Sequence, residues 1–137
     1  MKIIIHTDGG ARGNPGPAAI GVVINVGEKI IKEYGRAIGK ATNNVAEYSA
    51  VISALEVLAK NLGEKAKLAE VLIKADSELI VKQLKGEYRV KDPDLQKLYI
   101  KVYNLRQKFG KIDYTHIPRE QNKRADQLVN EALDKKG

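Results

Sequence analysis

The chain contains no cysteine. Disulfides and thiolate metal sites are therefore excluded, and the protein is no small stapled scaffold. Long hydrophobic runs are missing too. The apolar part of MKIIIHTDGG is too short for a signal peptide or a membrane span, and no later run comes close. We find no internal repeat, low-complexity tract, interdomain linker or polybasic tail. What these absences leave is a soluble, cytoplasmic protein of 137 residues, expected to fold as a single domain over 1–137 around a sizeable core. Scarce methionine, absent cysteine and abundant Lys and Glu are compatible with a thermophilic source. A monomer is expected, since no amphipathic helix is left without a core to face.

What the chain does have is positive charge: 24 basic residues against 17 acidic ones, a net charge of +7. That favours a polyanionic partner, although the charge is dispersed and ordinary solvated surface would look the same.

Apolar β-branched runs over Lys2–Thr7, Ala19–Val26 and Lys29–Ala37 read as strands. A turn at Val26-Gly27-Glu28 makes the second and third a hairpin. Asn43–Leu62 carries apolar residues at helical spacing, Glu70–Ala75 is a short buried strand, and Ser77–Leu84 looks helical. Pro93 fits the first turn of a helix running to about Phe109; Lys111–Ile117 is a strand and Asn122–Lys135 a final helix. This order predicts an α/β fold with a mixed sheet, in which an antiparallel hairpin joins parallel strands crossed over by helices.

Four carboxylates stand out. Asp8 and Asp76 end the first and fourth strands, so in parallel neighbours both would emerge at the carboxyl edge of the sheet. Either has a plainer reading: Asp8-Gly9 as a turn, Asp76 with Ser77 as a helix cap. Glu47 shares a helix face with Ala50, Val51, Ala54 and Leu55, and Asp126 shares one with Val129, Asn130 and Leu133. An inward carboxylate is costly unless paired, hydrogen-bonded or metal-bound. Arg36, Lys40 or Arg124 could serve as ion-pair partners, and both acids could be simple helix-start acids. Taken together, four converging carboxylates repel one another and stay ionised only around cations. With only His6 and His116 as imidazoles the donors are oxygen, which selects Mg²⁺ or Mn²⁺ over Zn²⁺. Oxygen sites holding two such ions perform in-line phosphoryl transfer. His6 reads as a satisfied strand histidine.

The segments TDGGARGNPGPAAIG (7–21), TNNVAEYSAVISAL (42–55), ADSELIVKQLKGEY (75–88) and HIPREQNKRADQLVNEAL (116–133) resemble type 1 ribonuclease H, in its compact archaeal and bacterial branch. The resemblance covers essentially the whole chain in order. It implies a ribonuclease H-like five-stranded sheet with strands 1–3 antiparallel and 4–5 parallel to 1. It implies metal-dependent endonucleolytic cleavage of the RNA strand of RNA/DNA hybrids, with Asp8, Glu47, Asp76 and Asp126 as the metal-binding acids. Gly9, Gly10, Arg12 and Asn14 would line the path of the nucleic acid; Thr42 is similar to a DNA-phosphate contact, and Asn43 and Asn44 to minor-groove readers of the RNA strand. Thr42-Asn43-Asn44 could equally cap the helix that carries Glu47.

Two departures follow. Many relatives place a histidine in a mobile loop before the last aspartate. Here Pro118–Gln121 looks shortened, so Arg119 is favoured for that auxiliary place and His116 is the alternative. The extra basic helix that some relatives use to grip the hybrid is absent, with only a short loop from Gly86 to Asp94. Weak, salt-sensitive binding is expected, with side activity on double-stranded RNA left open. A catalytically inactive hybrid-binding module, or another two-metal nuclease of the same superfold such as a resolvase or transposase core, are the competing readings.

Overall fold

The computed structural model describes Met1–Lys136. Five strands run β1 (Lys2–Ala11), β2 (Gly16–Val26), β3 (Lys29–Ala41), β4 (Glu70–Ala75) and β5 (Lys111–His116). Four helices join them: α1 (Asn43–Leu62), α2 (Glu78–Leu84), α3 (Pro93–Arg106) and α4 (Lys123–Lys136). The sheet order is β3-β2-β1-β4-β5, with β1–β2 and β2–β3 antiparallel, β1–β4 and β4–β5 parallel. The mixed sheet expected from the sequence is thus observed.

α1 packs on β1 and β2, with α3 behind it. The main core lies between them, built on Ile3, Ile5, Val22, Ile24, Tyr48, Val51, Leu55 and Leu58. α4 covers the opposite face of β1–β3 through a smaller cluster of Ala19, Val129 and Leu133. The two helices that carry Glu47 and Asp126 therefore approach the sheet from opposite sides. No helix among the described residues is long and apolar enough to cross a membrane.

The first three strands outrun their expected ends. β1 continues past Thr7 because its ladder with β2 extends to Ala11–Ala18, and β3 reaches Ala41 opposite Gly16. Backbone pairing holds polar and glycine residues that apolar periodicity does not mark. The connection between β1 and β2 is only a tip at Arg12–Pro15, closed by the Arg12 N–H donating to the Pro17 carbonyl at 2.8 Å. α3 ends at Arg106 rather than Phe109, and a 3₁₀ turn at Gly63–Leu68 carried no sequence signal. α1 has the expected bounds, and Glu47 lies on its buried stripe as the spacing requires.

Candidate active site at the carboxyl edge of the sheet

The β1–β4 ladder ends at Thr7–Ala75. The next residue on each strand is an aspartate, so Asp8 and Asp76 stand level where the two strands part. Such an edge is the usual ligand site of open α/β sheets. Ser77, not Asp76, caps α2: its hydroxyl accepts from the Ile80 N–H at 3.4 Å. The Asp76 carboxylate is left out of the cap.

Glu47 reaches this point from the second turn of α1. The helix is capped by Thr42, whose hydroxyl accepts from the Val45 N–H at 3.2 Å. The Glu47 carboxylate accepts the backbone N–H of Gly9 in a short hydrogen bond. A Cβ at Gly9 would fall 2.3 Å from the carbonyl of Ala46 and 2.5 Å from the Glu47 nitrogen. The close approach that Gly9 permits is thus that of α1. At Gly10 a Cβ would meet only Val129, at 3.7 Å.

One carboxylate oxygen from each of Asp8, Glu47 and Asp76 lies within 4.8 Å of the others, and such a cluster could hold a divalent metal ion. Burial, then the charge of Asp76, pushes the Asp8 pKa up to about 7. Burial, then the charge of Asp8, drives Glu47 well above the usual carboxylate range. Asp76 is raised mainly by burial, against the opposing pull of the Arg119 guanidinium. Among the described residues no cation pairs with Asp8, Glu47 or Asp76. Arg36 bonds to Ser53, and Arg124 to Glu33 and Glu131, so neither is the partner that the ion-pair reading would need. A cluster that burial and mutual repulsion drive toward protonation, built only of oxygen donors, fits a hard divalent cation.

Asp126 stands at the rim of this group, one-third exposed, near enough to Asp8 to raise it. Its position follows from how α4 sits on the sheet. Gly21 and Gly35 pair across β2 and β3. A Cβ at Gly21 would fall 2.2 Å from the Ala125 carbonyl oxygen, and one at Gly35 would fall 2.3 Å from that of Leu128. The helix backbone therefore rests directly on the strand backbones. Asn122, 1 % exposed, donates its Nδ2 to the Thr7 carbonyl at 2.9 Å, while its own carbonyl accepts the Asp126 N–H at 3.1 Å. Sequence reasoning passed over these three residues. Two glycines inside strands and an asparagine ahead of a helix carry no signal until the face beneath them is known.

Around the acids, Arg119 lies in a 3₁₀ turn, Arg119–Gln121, with a guanidinium nitrogen 3.7 Å from Asp126. His116 ends β5 opposite Ala75 and is exposed, although it alternates with buried Ile112 and Tyr114. The other candidates gather at the first hairpin and the start of α1. Asn14 accepts the Asn43 N–H at 3.0 Å, and Asn43 Oδ1 accepts the Ala11 N–H at 2.9 Å. Asn14, Thr42 and Asn44 line a depression of about 220 Å³ with Asp92 and Asp94, which begin α3. Arg12 is turned to α4 and pairs with Asp134 at 2.6 Å. His6 is half-buried, and burial, then the charge of Lys74, lowers its pKa.

Known proteins share this fold. The Reverse transcriptase-like family profile matches residues 6–132. The chain is 44% identical over 136 residues to a bifunctional protein of Mycobacterium tuberculosis, covering 98% of itself and 36% of that protein. It is 44% identical over 134 residues to Ribonuclease HI of Halobacterium salinarum, covering 97% of itself and 65% of that protein. The chain thus spans from about a third to just under two thirds of these relatives' lengths. Among solved structures, an RNase H1 isolated from compost superposes with a TM-score of 0.92 at 52% identity, covering 98% of this chain and 96% of that one. The same compost protein, crystallised in complex with RNA/DNA hybrid, gives 0.92 at 51% identity, with 97% of each chain covered. The acids at the sheet edge, the fold that places them and these likenesses have one reading: the chain belongs to the type 1 ribonuclease H family.

Proposed function

We propose that residues 1–137 form a single catalytic domain, an endoribonuclease that hydrolyses the RNA strand of RNA/DNA hybrids to 5′-phosphate and 3′-hydroxyl ends. The observation that carries this reading is the convergence of Asp8, Glu47 and Asp76 with no cation among their side-chain partners. Its setting is a fold whose compost relative has been crystallised with such a hybrid.

In this reading Asp8, Glu47, Asp76 and Asp126 hold Mg²⁺, with Mn²⁺ as a substitute. When bound, two such ions would activate a water and stabilise the leaving oxygen of an in-line displacement. The chain's own groups then have separate tasks. The Gly9 N–H holds the Glu47 carboxylate toward Asp8. Arg119, exposed beside Asp126, offsets charge that develops on the scissile phosphate or the leaving oxygen. An arginine does not act as a general base at neutral pH; His116 is the alternative for the auxiliary place. Gly10, Arg12 and Asn14 line the path of the nucleic acid and Thr42 meets a DNA phosphate, while Gly9, read for the same path, is taken up by the approach of α1. Asn43 and Asn44 read the minor groove, where the 2′-hydroxyl separates RNA from DNA. Asn43 Oδ1 is occupied by Ala11, which leaves its amide N–H₂ free to donate. The same reading has the protein act as a monomer in the cytoplasm, with double-stranded RNA as a secondary substrate.

The test is cleavage of an end-labelled RNA/DNA hybrid beside RNA/RNA and DNA/DNA duplexes, with Mg²⁺, Mn²⁺ or chelator, and with Asp8→Asn as control. Metal-dependent loss of the hybrid's RNA strand, absent in Asp8→Asn, is expected. Binding without cutting would point to a hybrid-binding module, and cutting of DNA/DNA to another two-metal nuclease.

A further inference from the structure

We infer that Asn122 is a positioning residue: it fixes the span between Asp8 and Asp126, and through it the metal affinity of the carboxylate cluster. The inference rests on the metal-dependent reading above.

Asn122 is bonded to both segments that must meet. Its side-chain Nδ2 donates to the carbonyl of Thr7, the residue before Asp8, at 2.9 Å. Its main-chain carbonyl accepts the N–H of Asp126 itself at 3.1 Å. One residue thereby ties the end of the β1–β4 ladder to the first turn of α4, across 115 positions of sequence. The contacts at Gly21 and Gly35 set the height of α4 above the sheet. Backbone resting on backbone resists closer approach but not sliding along the strands, and the Asn122 amide supplies the missing restraint.

A second observation separates this role from plain packing. Asn122 is 1 % exposed, yet its Oδ1 has no hydrogen-bond partner among the described residues. A buried acceptor left without a partner costs stability, so stability alone does not favour an amide here. Among the described residues the bond of that side chain is the one to Thr7. Arg119, the cation nearest Asp126, is 80 % exposed at 3.7 Å and holds nothing rigidly. Removing a group that orients a metal ligand from behind typically costs about 10–100-fold in metal affinity.

The test compares wild type, Asn122→Ala, Asn122→Asp and Val102→Ala. Asn122→Asp keeps the shape but sets an acceptor against the Thr7 carbonyl. Val102 is buried away from the acids, so its truncation lowers stability without touching them. Three quantities are measured: Mn²⁺ affinity of the free protein by calorimetry, kcat and KM on the hybrid, and Tm. Both Asn122 variants are expected to lose about tenfold or more in Mn²⁺ affinity and in kcat at limiting metal, with KM for the hybrid within about twofold. Val102→Ala should lose Tm while keeping both. The inference is overturned if the Asn122 variants behave as Val102→Ala does, or if KM alone rises. Should the wild type not cut hybrid at all, the proposed function fails, and the Mn²⁺ affinities still decide the role of Asn122. If Asn122→Asp does not fold, the comparison of Asn122→Ala with Val102→Ala decides alone.

Discussion

Asp8 and Asp76 are the first residues beyond the last rung of the β1–β4 ladder, level with each other on parallel strands. Their charges, with that of Glu47, are forced into one buried space, and this has a consequence for stability. Burial and the charge of Asp76 raise Asp8 from 3.8 to about 7. Between those values the folded protein holds a proton that the unfolded chain has released. The contribution of Asp8 to metal-free stability is therefore fully present below about pH 4 and is lost as pH rises to about 7. Asp8→Asn removes this penalty. In thermal melts with chelator it should be more stable than wild type at pH 8, by on the order of 4 kcal/mol, with the difference vanishing near pH 4. A wild type that gains stability from pH 5 to pH 8 without metal would contradict the account.

Metal ions should reverse the trend. They compete with protons for Asp8 and Glu47, so their stabilising effect should grow with pH. At a hundredfold excess over Kd a bound ion adds about 2.7 kcal/mol. The expected result is a rise in Tm with Mg²⁺ that is small at pH 5 and full at pH 8 in wild type, and largely lost in Asp8→Asn.

The floor beneath α4 makes a sharper mutational forecast. Gly21→Ala or Gly35→Ala places a methyl about 2 Å from a helix carbonyl oxygen. Such overpacking costs typically 1–3 kcal/mol, and here it also lifts Asp126 away from Asp8. Both stability and kcat should fall. Gly10→Ala meets only a methyl of Val129 at 3.7 Å and should stay within about 0.5 kcal/mol of wild type. Equal losses at Gly10 and Gly21 would argue against the close-approach explanation.

Arg12 offers a test in the opposite direction. Asp134 holds it at 2.6 Å in an exposed pair, so a phosphate must take Arg12 from that carboxylate. Asp134→Asn should cost less than about 1 kcal/mol in stability while lowering KM for hybrid several-fold, with kcat unchanged. A higher KM would instead mean that the pair presents Arg12 to the substrate.

If the proposed phosphate contacts at the first hairpin and at Thr42 form, hybrid binding should weaken with salt as counterions are released, and the absence of a second basic helix should leave the affinity low. Affinity measured from 50 to 300 mM salt by anisotropy should give a clearly negative log–log slope, and a flat line would refute it.

Much of this arrangement could be read from residue order alone, for identifiable reasons. Glu47 betrays itself because a carboxylate on the Ala50–Val51–Ala54–Leu55 face conflicts with the apolar period of its helix. Asp8 and Asp76 follow from apolar runs that give way to a charge, although β1 itself continues through Asp8 to Ala11. The extensions of β1 to Ala11 and β3 to Ala41 were not readable, because pairing partners across a sheet leave no periodic trace in Gly- and Lys-containing segments. Asn122 was invisible for a related reason: its partner, the Thr7 carbonyl, is backbone 115 residues away and has no side-chain signature.

Backbone resting on backbone at Gly21 and Gly35 also bears on how tolerance to replacement is to be interpreted in this chain. A saturation scan would score these two positions as harshly as the carboxylates, though neither carries a functional group. Nor would a compensating change nearby restore them easily, since what each substitution strikes is a main-chain oxygen that no side-chain exchange can remove. In a map of forbidden changes, the chemistry of the site and the surface that carries it would look the same.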